Sequence, residues 1–134
     1  MMSAIRQALV LAASLLAVQF GADVYAQDST TRTELKRTDL TGAPGMEVIS
    51  SIIEIKPGAE SARHSHHGVE SGYVLQGAMI QSPGKEPVML ETGTPIMNLR
   101  DVPHGGFKVV GNKSLKLFTV HVVDKDKPLY EYVK

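Results

Sequence analysis

Along residues 45–134 the apolar positions recur in short alternating bursts, not at the three- and four-residue spacing of a helix face. The segment LKLFTVHVV (115–123) alternates most cleanly. GMEVISSIIEI (45–55), GYVLQ (72–76), AMIQ (78–81), VMLE (88–91), PIMN (95–98) and GFKVV (106–110) are shorter and rich in β-branched or aliphatic residues. Alternation with period two puts every second side chain on one face of a strand, which suits a half-buried sheet. The bursts are separated by turn-forming stretches, namely Lys56-Pro57-Gly58, Ser82-Pro83-Gly84, Thr92-Gly93 and Gly111-Asn112. Short strands at regular intervals with Gly and Pro between them predict an all-β sandwich or barrel over residues 45–134. Residues 27–44 are polar with a Thr-rich start and are expected to form an N-terminal arm or edge strand.

The first 26 residues follow another pattern. Arg6 is the only positive side chain ahead of an apolar run, ALVLAASLLAVQF (8–20), and Val24-Tyr25-Ala26 then offers the small or aliphatic residues that a signal peptidase reads. The run is too short to cross a bilayer comfortably. Residues 1–26 are therefore expected to be a signal peptide, leaving a mature chain from Gln27 that is periplasmic or secreted and holds no membrane segment. No Arg-Arg pair precedes the apolar run, which points to export of an unfolded chain.

Composition narrows the chemistry. The 134 residues allow one domain with one modest core, and 14 basic side chains balance 14 acidic ones. A neutral chain gives no electrostatic case for nucleic acid or an anionic membrane surface. There is no cysteine, so disulfides, thiolate nucleophiles and cysteine-ligated metals are excluded. Any metal must sit on nitrogen and oxygen donors.

Three of the five histidines fall within four positions, in PGAESARHSHHGVESGYVLQG (57–77). On a strand, His64 and His66 project to one face while Ser65 and His67 project to the other. On a helix, residues two apart diverge, so H-x-H is the strand form of an imidazole pair. Glu70 keeps the same parity, with Gly68 letting the chain bend before it, and DVPHGGF supplies His104 from elsewhere in the barrel. Imidazole nitrogen with carboxylate oxygen suits divalent transition metals better than calcium or magnesium.

At these residues the chain resembles the cupin superfamily. Gly58, five residues, His64-x-His66, three residues, Glu70, six residues and Gly77 fit every fixed position of the first cupin motif. From Gly93 to His104 the spacing is that of the second motif, but Leu99-Arg100-Asp101 replaces the usual Pro-x-Gly, and Lys108 stands where asparagine is usual. The α-carbonic anhydrases also bind metal through H-x-H. Their chains are longer and lack the Glu70 and Gly77 spacing.

The resemblance implies a small single-domain protein folded as a double-stranded β-helix (a jelly-roll barrel) with His64, His66, Glu70 and His104 holding a divalent metal. Three neutral imidazoles and one carboxylate leave about one net positive charge on such an ion, and two open octahedral positions for a ligand. Metal-bound cupins include dioxygenases, isomerases and decarboxylases, whereas others only bind metal or ligand, and the fold alone does not choose. A small metalloenzyme acting on an oxygenated organic molecule is expected, with a non-catalytic binding protein as the alternative. Folding outside the cytoplasm leaves the affinity order to select the metal. That order favours zinc or copper over iron, manganese and nickel. A homodimer is also expected, because a small jelly roll leaves sheet faces and edges uncovered.

Other residues carry weaker signals. His67 has the parity of a surface residue, and His121 suits a cavity wall or a core position equally. Gln76 shares the parity of Glu70 and is a candidate hydrogen-bond partner for the site. Met79, Met89 and Met97 fit a soft pocket or plain core filling. Lys108 shares the parity of His104 unless Gly105-Gly106 hosts a bulge. Tyr73 and Phe107 read as packing residues.

Overall fold

The structure is a computed structural model that describes residues 30–133, so the leader and its cleavage point lie outside the described residues. Eleven strands follow in order: β1 (Thr30–Asp39), β2 (Met46–Ile55), β3 (Glu60–Ser61), β4 (His64–Ser65), β5 (Gly68–Gln76), β6 (Ala78–Gln81), β7 (Val88–Leu90), β8 (Pro95–Asn98), β9 (Phe107–Val110), β10 (Leu115–Asp124) and β11 (Glu131–Tyr132). A five-stranded sheet has the order β1-β2-β10-β5-β8, a four-stranded sheet β3-β9-β6-β7, and β11 pairs with β4. Every ladder is antiparallel. The fold is all-β, as the alternating pattern predicts.

The two larger sheets face each other across one apolar cluster. Ile53, Ile55, Val74 and Leu115 come from the five-stranded sheet, and Ala78 and Val109 from the other. Val74, Val109 and Leu115 have no exposed surface, and each such side chain contributes about 1.5–3 kcal/mol of transfer free energy.

Register sorts the interior into layers, because directly opposed residues in an antiparallel pair point to the same face. On β2 and β10 the pairs Ile55–Leu115 and Ile53–Leu117 form an apolar floor. One step further, Ser51 faces Thr119, and then Ile49 faces His121, which on its other side faces Glu70 of β5. Glu70 in turn faces Asn98 of β8. Polar groups are thus gathered at one level of the barrel, above the apolar floor.

Strand β1 covers the β2 edge and comes from the polar stretch 27–44. Its register shifts between Glu34 and Lys36. The extra residue lets Arg32 and Arg37, of opposite parity, both lie on the inward side, opposite Ile53 and Ile49. Arg37 Nη1 donates to the buried Glu47 carboxylate at 2.7 Å, which compensates a charge that would otherwise be costly inside.

Gly68 has a stronger reason for being glycine than the bend expected of it. A Cβ there would stand 2.1 Å from the Val122 carbonyl oxygen and 2.5 Å from Val123 Cα. The β5–β10 pairing that sets Glu70 against His121 depends on that close approach. Gly68→Ala is expected to lose at least about 3 kcal/mol of stability through overpacking against backbone. Gly84→Ala, in open space with φ +70°, should lose only about 1–2 kcal/mol. Chemical denaturation of both variants checks this, and equal losses would contradict it.

Candidate metal centre

Four segments converge on the polar level. His64 and His66 lie on the β4 stretch, Glu70 on β5, His104 on the loop before β9, and His121 on β10. His64 and His104 are pinned by reciprocal backbone bonds, His64 N to His104 O at 3.0 Å and His104 N to His64 O at 2.8 Å. Regular strand geometry at β4 covers only His64 and Ser65, yet His64 and His66 do share the inward side, at 8% and 1% exposure.

Backbone carbonyls set the orientation of three rings. His64 Nδ1 lies 2.7 Å from Ala62 O, His104 Nδ1 lies 3.1 Å from Val102 O, and His66 Nδ1 meets Leu129 O. A carbonyl only accepts, so each Nδ1 carries the proton and each Nε2 keeps its lone pair. The ligand atoms of His64, His66 and His104 lie within 4.8 Å of one another, as do those of His66, Glu70 and His121. His66 Nε2 and His104 Nε2 are buried without a hydrogen-bond partner. Buried nitrogens with fixed, inward lone pairs and an adjacent carboxylate are what a divalent transition metal requires. The sequence-predicted residues His64, His66, Glu70 and His104 are therefore brought together, and they fit such an ion.

Glu70 is the hub. Its Oε2 is 3.4 Å from His66 Nε2 and 3.2 Å from His104 Nε2, and its Oε1 is 3.4 Å from His121 Nε2. Asn98 Nδ2 donates to Oε2 at 2.7 Å. Burial opposes ionisation of Glu70, but His104, His66, His121 and Asn98 together outweigh it and hold the carboxyl well below the usual range. Burial opposes protonation of His104 as well, and there contact with Glu70 and the Val102 carbonyl prevails, so its pKa is raised. Burial lowers His64, and lowers His121 to about 4.

His121 resolves to the site, directly across the ladder from Glu70, fully buried with neither ring nitrogen hydrogen-bonded. Its parity with Leu115, Leu117 and Thr119 is the sequence signal that supports this. Asn98 and Tyr130 are functional candidates that sequence reasoning missed. Asn98 shares its face with Ile96 at the end of a strand that the sequence predicts, but a terminal asparagine there carries no motif signal. Tyr130 arrives from a C-terminal segment with no alternation, its ring 4.9 Å from that of His64 and 5.1 Å from that of His66.

Of the weaker expectations, those for Gln76 and a methionine-lined pocket fail, whereas the outward parity of His67 and a break in parity at Gly105-Gly106 are observed. Gln76 turns away and donates to Ser114 O at 2.7 Å, because the β5–β10 register shifts just before it. Lys108 is exposed, because Gly105 and Gly106 both take positive φ and reverse the parity after His104. Met89 and Met97 are exposed, so the methionines do not build the pocket. His67 points away from the cluster and lies 2.9 Å from Asp101 Oδ1. Asp101 holds φ 59° at the position where the motif usually has glycine, a conformation aspartate tolerates better than most residues.

The cluster opens on a cavity of about 390 Å³. Ile53, Ile55, Leu90, Ile96, Phe107 and Leu117 form its apolar wall, and His64, Glu70, His104, Asn98 and Tyr130 its polar end. Burial pushes the Tyr130 phenol up to about 12, so it remains a neutral donor at ordinary pH.

The cupin domain family matches residues 51–121. The chain belongs to the cupin domain family. This cupin is similar in structure to a conserved protein with a double-stranded β-helix domain from Klebsiella pneumoniae (TM-score 0.58, 17% identity, covering 81% of this chain and 88% of that one). It also resembles the polyketide cyclase RemF from Streptomyces resistomycificus (TM-score 0.56, 22% identity, 79% of this chain and 73% of that one). A third similar structure is the DMSP lyase DddQ from Ruegeria pomeroyi DSS-3 (TM-score 0.55, 16% identity, 87% of this chain and 57% of that one). At these identities the likeness establishes the fold of the cupin, a double-stranded β-helix. No curated protein matches the sequence.

Replacing His64, His66 or His104 with alanine is expected to weaken metal binding at least about a hundredfold, and Glu70→Gln less, because water can replace one carboxylate oxygen. His121→Ala should weaken it about tenfold through the freed carboxylate, and His67→Ala hardly at all. Titration with a competing chelator measures this series. A loss in His67→Ala equal to that in His66→Ala would refute the strand-parity assignment.

The metal-free protein should also lose stability on acidification. Below pH 6.5 the unfolded chain binds protons on His64 and His121 that the folded chain refuses, so stability falls until the folded His121 titrates near 4. Glu70, depressed from 4.5, adds to the loss below that value. His104, raised above 6.5, acts oppositely, its contribution being lost as pH rises through its folded value. His121, carried down to about 4, outweighs the raised His104, so the Tm of chelator-treated protein should drop between about pH 7 and 4.5. A flat or rising Tm would contradict this.

Proposed function

We propose that this cupin is an exported metal-dependent enzyme that acts on a small oxygenated organic molecule held in the barrel cavity. The observation that carries the reading is the pair of buried, unpartnered Nε2 atoms of His66 and His104, which lie 3.4 and 3.2 Å from the same Glu70 oxygen, beside the cavity. His64, His66, Glu70 and His104 would hold the ion. Bound there, a divalent metal supplies Lewis acidity toward a carbonyl or enolate oxygen, or access to dioxygen chemistry if it is copper or iron. Ile53, Ile96, Phe107 and Leu117 exclude water from the ligand and orient its apolar body. Tyr130, protonated and lining the cavity, donates a hydrogen bond to a ligand oxygen. Asn98 and His121 hold the Glu70 carboxylate in one rotamer.

Lyase- or isomerase-like chemistry is supported by the fold likeness to a polyketide cyclase and a DMSP lyase, and a dioxygenase-like reaction requires a redox metal. Zinc or copper follows from folding in the periplasm or outside the cell, where the intrinsic affinity order selects, with iron, manganese or nickel next. A second copy is proposed to cover the β8 edge, where Tyr73, Met97 and Leu99 are 49%, 62% and 59% exposed.

Protein recovered from the periplasm should begin at Gln27 by intact mass, carry zinc or copper near one equivalent, scatter light as a dimer, and turn over a member of a carbonyl and hydroxy-acid panel. A retained leader would refute export, and a monomer across micromolar concentrations would refute pairing. Near-full iron or manganese would refute the metal assignment. Tight ligand binding without turnover would leave the non-catalytic alternative, a metal- or ligand-binding cupin.

A further inference from the structure

Arg32 is the only lysine or arginine among the described residues that line the cavity. It comes from β1, outside the residues matched by the cupin domain family. Its register partner is Ile53, whose side chain is in the apolar wall, so the guanidinium is directed inward over that wall. Nη1 donates to Ser51 Oγ at 2.8 Å, and Ser51 has no exposed surface. Nη2 reaches Glu34 Oε2 at 3.3 Å, but Glu34 is already gripped twice by Arg37, at 2.9 and 3.0 Å. A guanidinium has five N–H donors in a rigid fork, so these two bonds leave donors unused on a side chain that lines the cavity. The positive charge acts on Tyr130 and His121, disfavouring protonation of His121 and favouring ionisation of Tyr130.

With a divalent ion in place, the charges lining the cavity are the ion and Arg32 against Glu70 and the exposed rim residue Glu60. Among the groups that line the cavity one positive charge is left in excess, although behind the wall Arg32 and Arg37 share Glu34 and Glu47. We propose that the ligand of this cavity is a small organic acid whose carboxylate is bound by Arg32 while its other end reaches the metal. The proposal rests on the metal-centre reading above and narrows its substrate class. The guanidinium is anchored at the Ser51 level, and the Glu70–His121 pair lies one inward step, two residues, further along the ladder. That step is about 7 Å on an antiparallel strand. The ligand therefore spans a few bonds between its carboxylate and its metal-binding atoms. A bidentate guanidinium–carboxylate pair in a poorly solvated site favours the acid over its neutral analogue and fixes which end faces the metal.

Calorimetry on zinc-loaded protein tests this with two families of probe. One is neutral alkyl hydroxamates, which need only the metal, and the other is the monohydroxamates of succinate, glutarate and adipate, which add a distal carboxylate. The acids are expected to bind at least tenfold tighter than neutral probes of equal length, with one chain length preferred. Arg32→Gln should erase that advantage while leaving zinc content and the neutral probes' Kd unchanged. Arg32→Lys should retain part of it with a steeper loss in salt. Equal binding of both families to the native protein, or an advantage that survives in Arg32→Gln with zinc retained, would overturn the proposal alone. Failure of every hydroxamate to bind zinc-loaded protein would overturn the metal-centre reading and the proposal with it.

Discussion

Burying imidazole nitrogens without partners is the constraint around which the barrel is organised. A buried donor or acceptor left unpaired costs about 1–3 kcal/mol, and His66, His104 and His121 together present four such nitrogens. Glu70 is the only carboxylate in charge contact with His66, His104 and His121 among the described residues. An ionised carboxylate has no proton to offer an Nε2 lone pair, and the carbonyls of Ala62, Val102 and Leu129 accept the Nδ1 protons of His64, His104 and His66, which leaves their Nε2 lone pairs unmatched. The protein thus carries an electrostatic deficit that is suited to a cation, and the fold supplies the stability that tolerates it. The apolar floor of Ile53, Ile55, Val74 and Leu115 does that work a few ångströms away.

Strand β10 is the member that joins the two ends. Its neighbours are β2 and β5, and its inward residues run from Leu115 and Leu117 through Thr119 to His121 and Val123. Along one strand the barrel passes from packing to chemistry and back to packing. The cavity lies where the two meet, which explains why it has an apolar wall and a polar end. Gly68 lets β5 come close enough to keep that alignment.

Much of this was legible in the sequence, and the reasons differ from residue to residue. Strands β2, β5, β6, β8 and β10 show period-two alternation because one face is buried, and H-x-H reads as a same-face pair for the same reason. Glu70 and His104 were legible through motif spacing. Asn98 and Tyr130 were not, since the PIMN burst marks a strand without marking its terminal polar residue as a partner of Glu70, and the two-residue β11 is held by pairing with β4, not by an apolar face. Gln76 was misplaced and Lys108 could be read only conditionally, for the same physical reason. Parity counting assumes an unbroken ladder, and a register shift beside Gln76 and two positive-φ glycines before Lys108 each reverse it. Polar β1 gave only an arm or edge, because its outward face is exposed along nearly its whole length and its inward arginines resemble ordinary surface charge.

The carbonyl that orients His66 belongs to Leu129, 63 residues further along the chain. This separation has a temporal meaning. While the chain is being made, the first motif emerges with His64 and His66 but without the group that fixes the tautomer of His66. His104 and His121 also arrive after it. A partial chain therefore offers only flexible imidazoles with weak, indiscriminate affinity, and a finished barrel offers an oriented set. An oriented set of imidazoles in this protein therefore exists only once the chain as far as Leu129 is in place, and the orientation of the first motif is a property of the completed barrel.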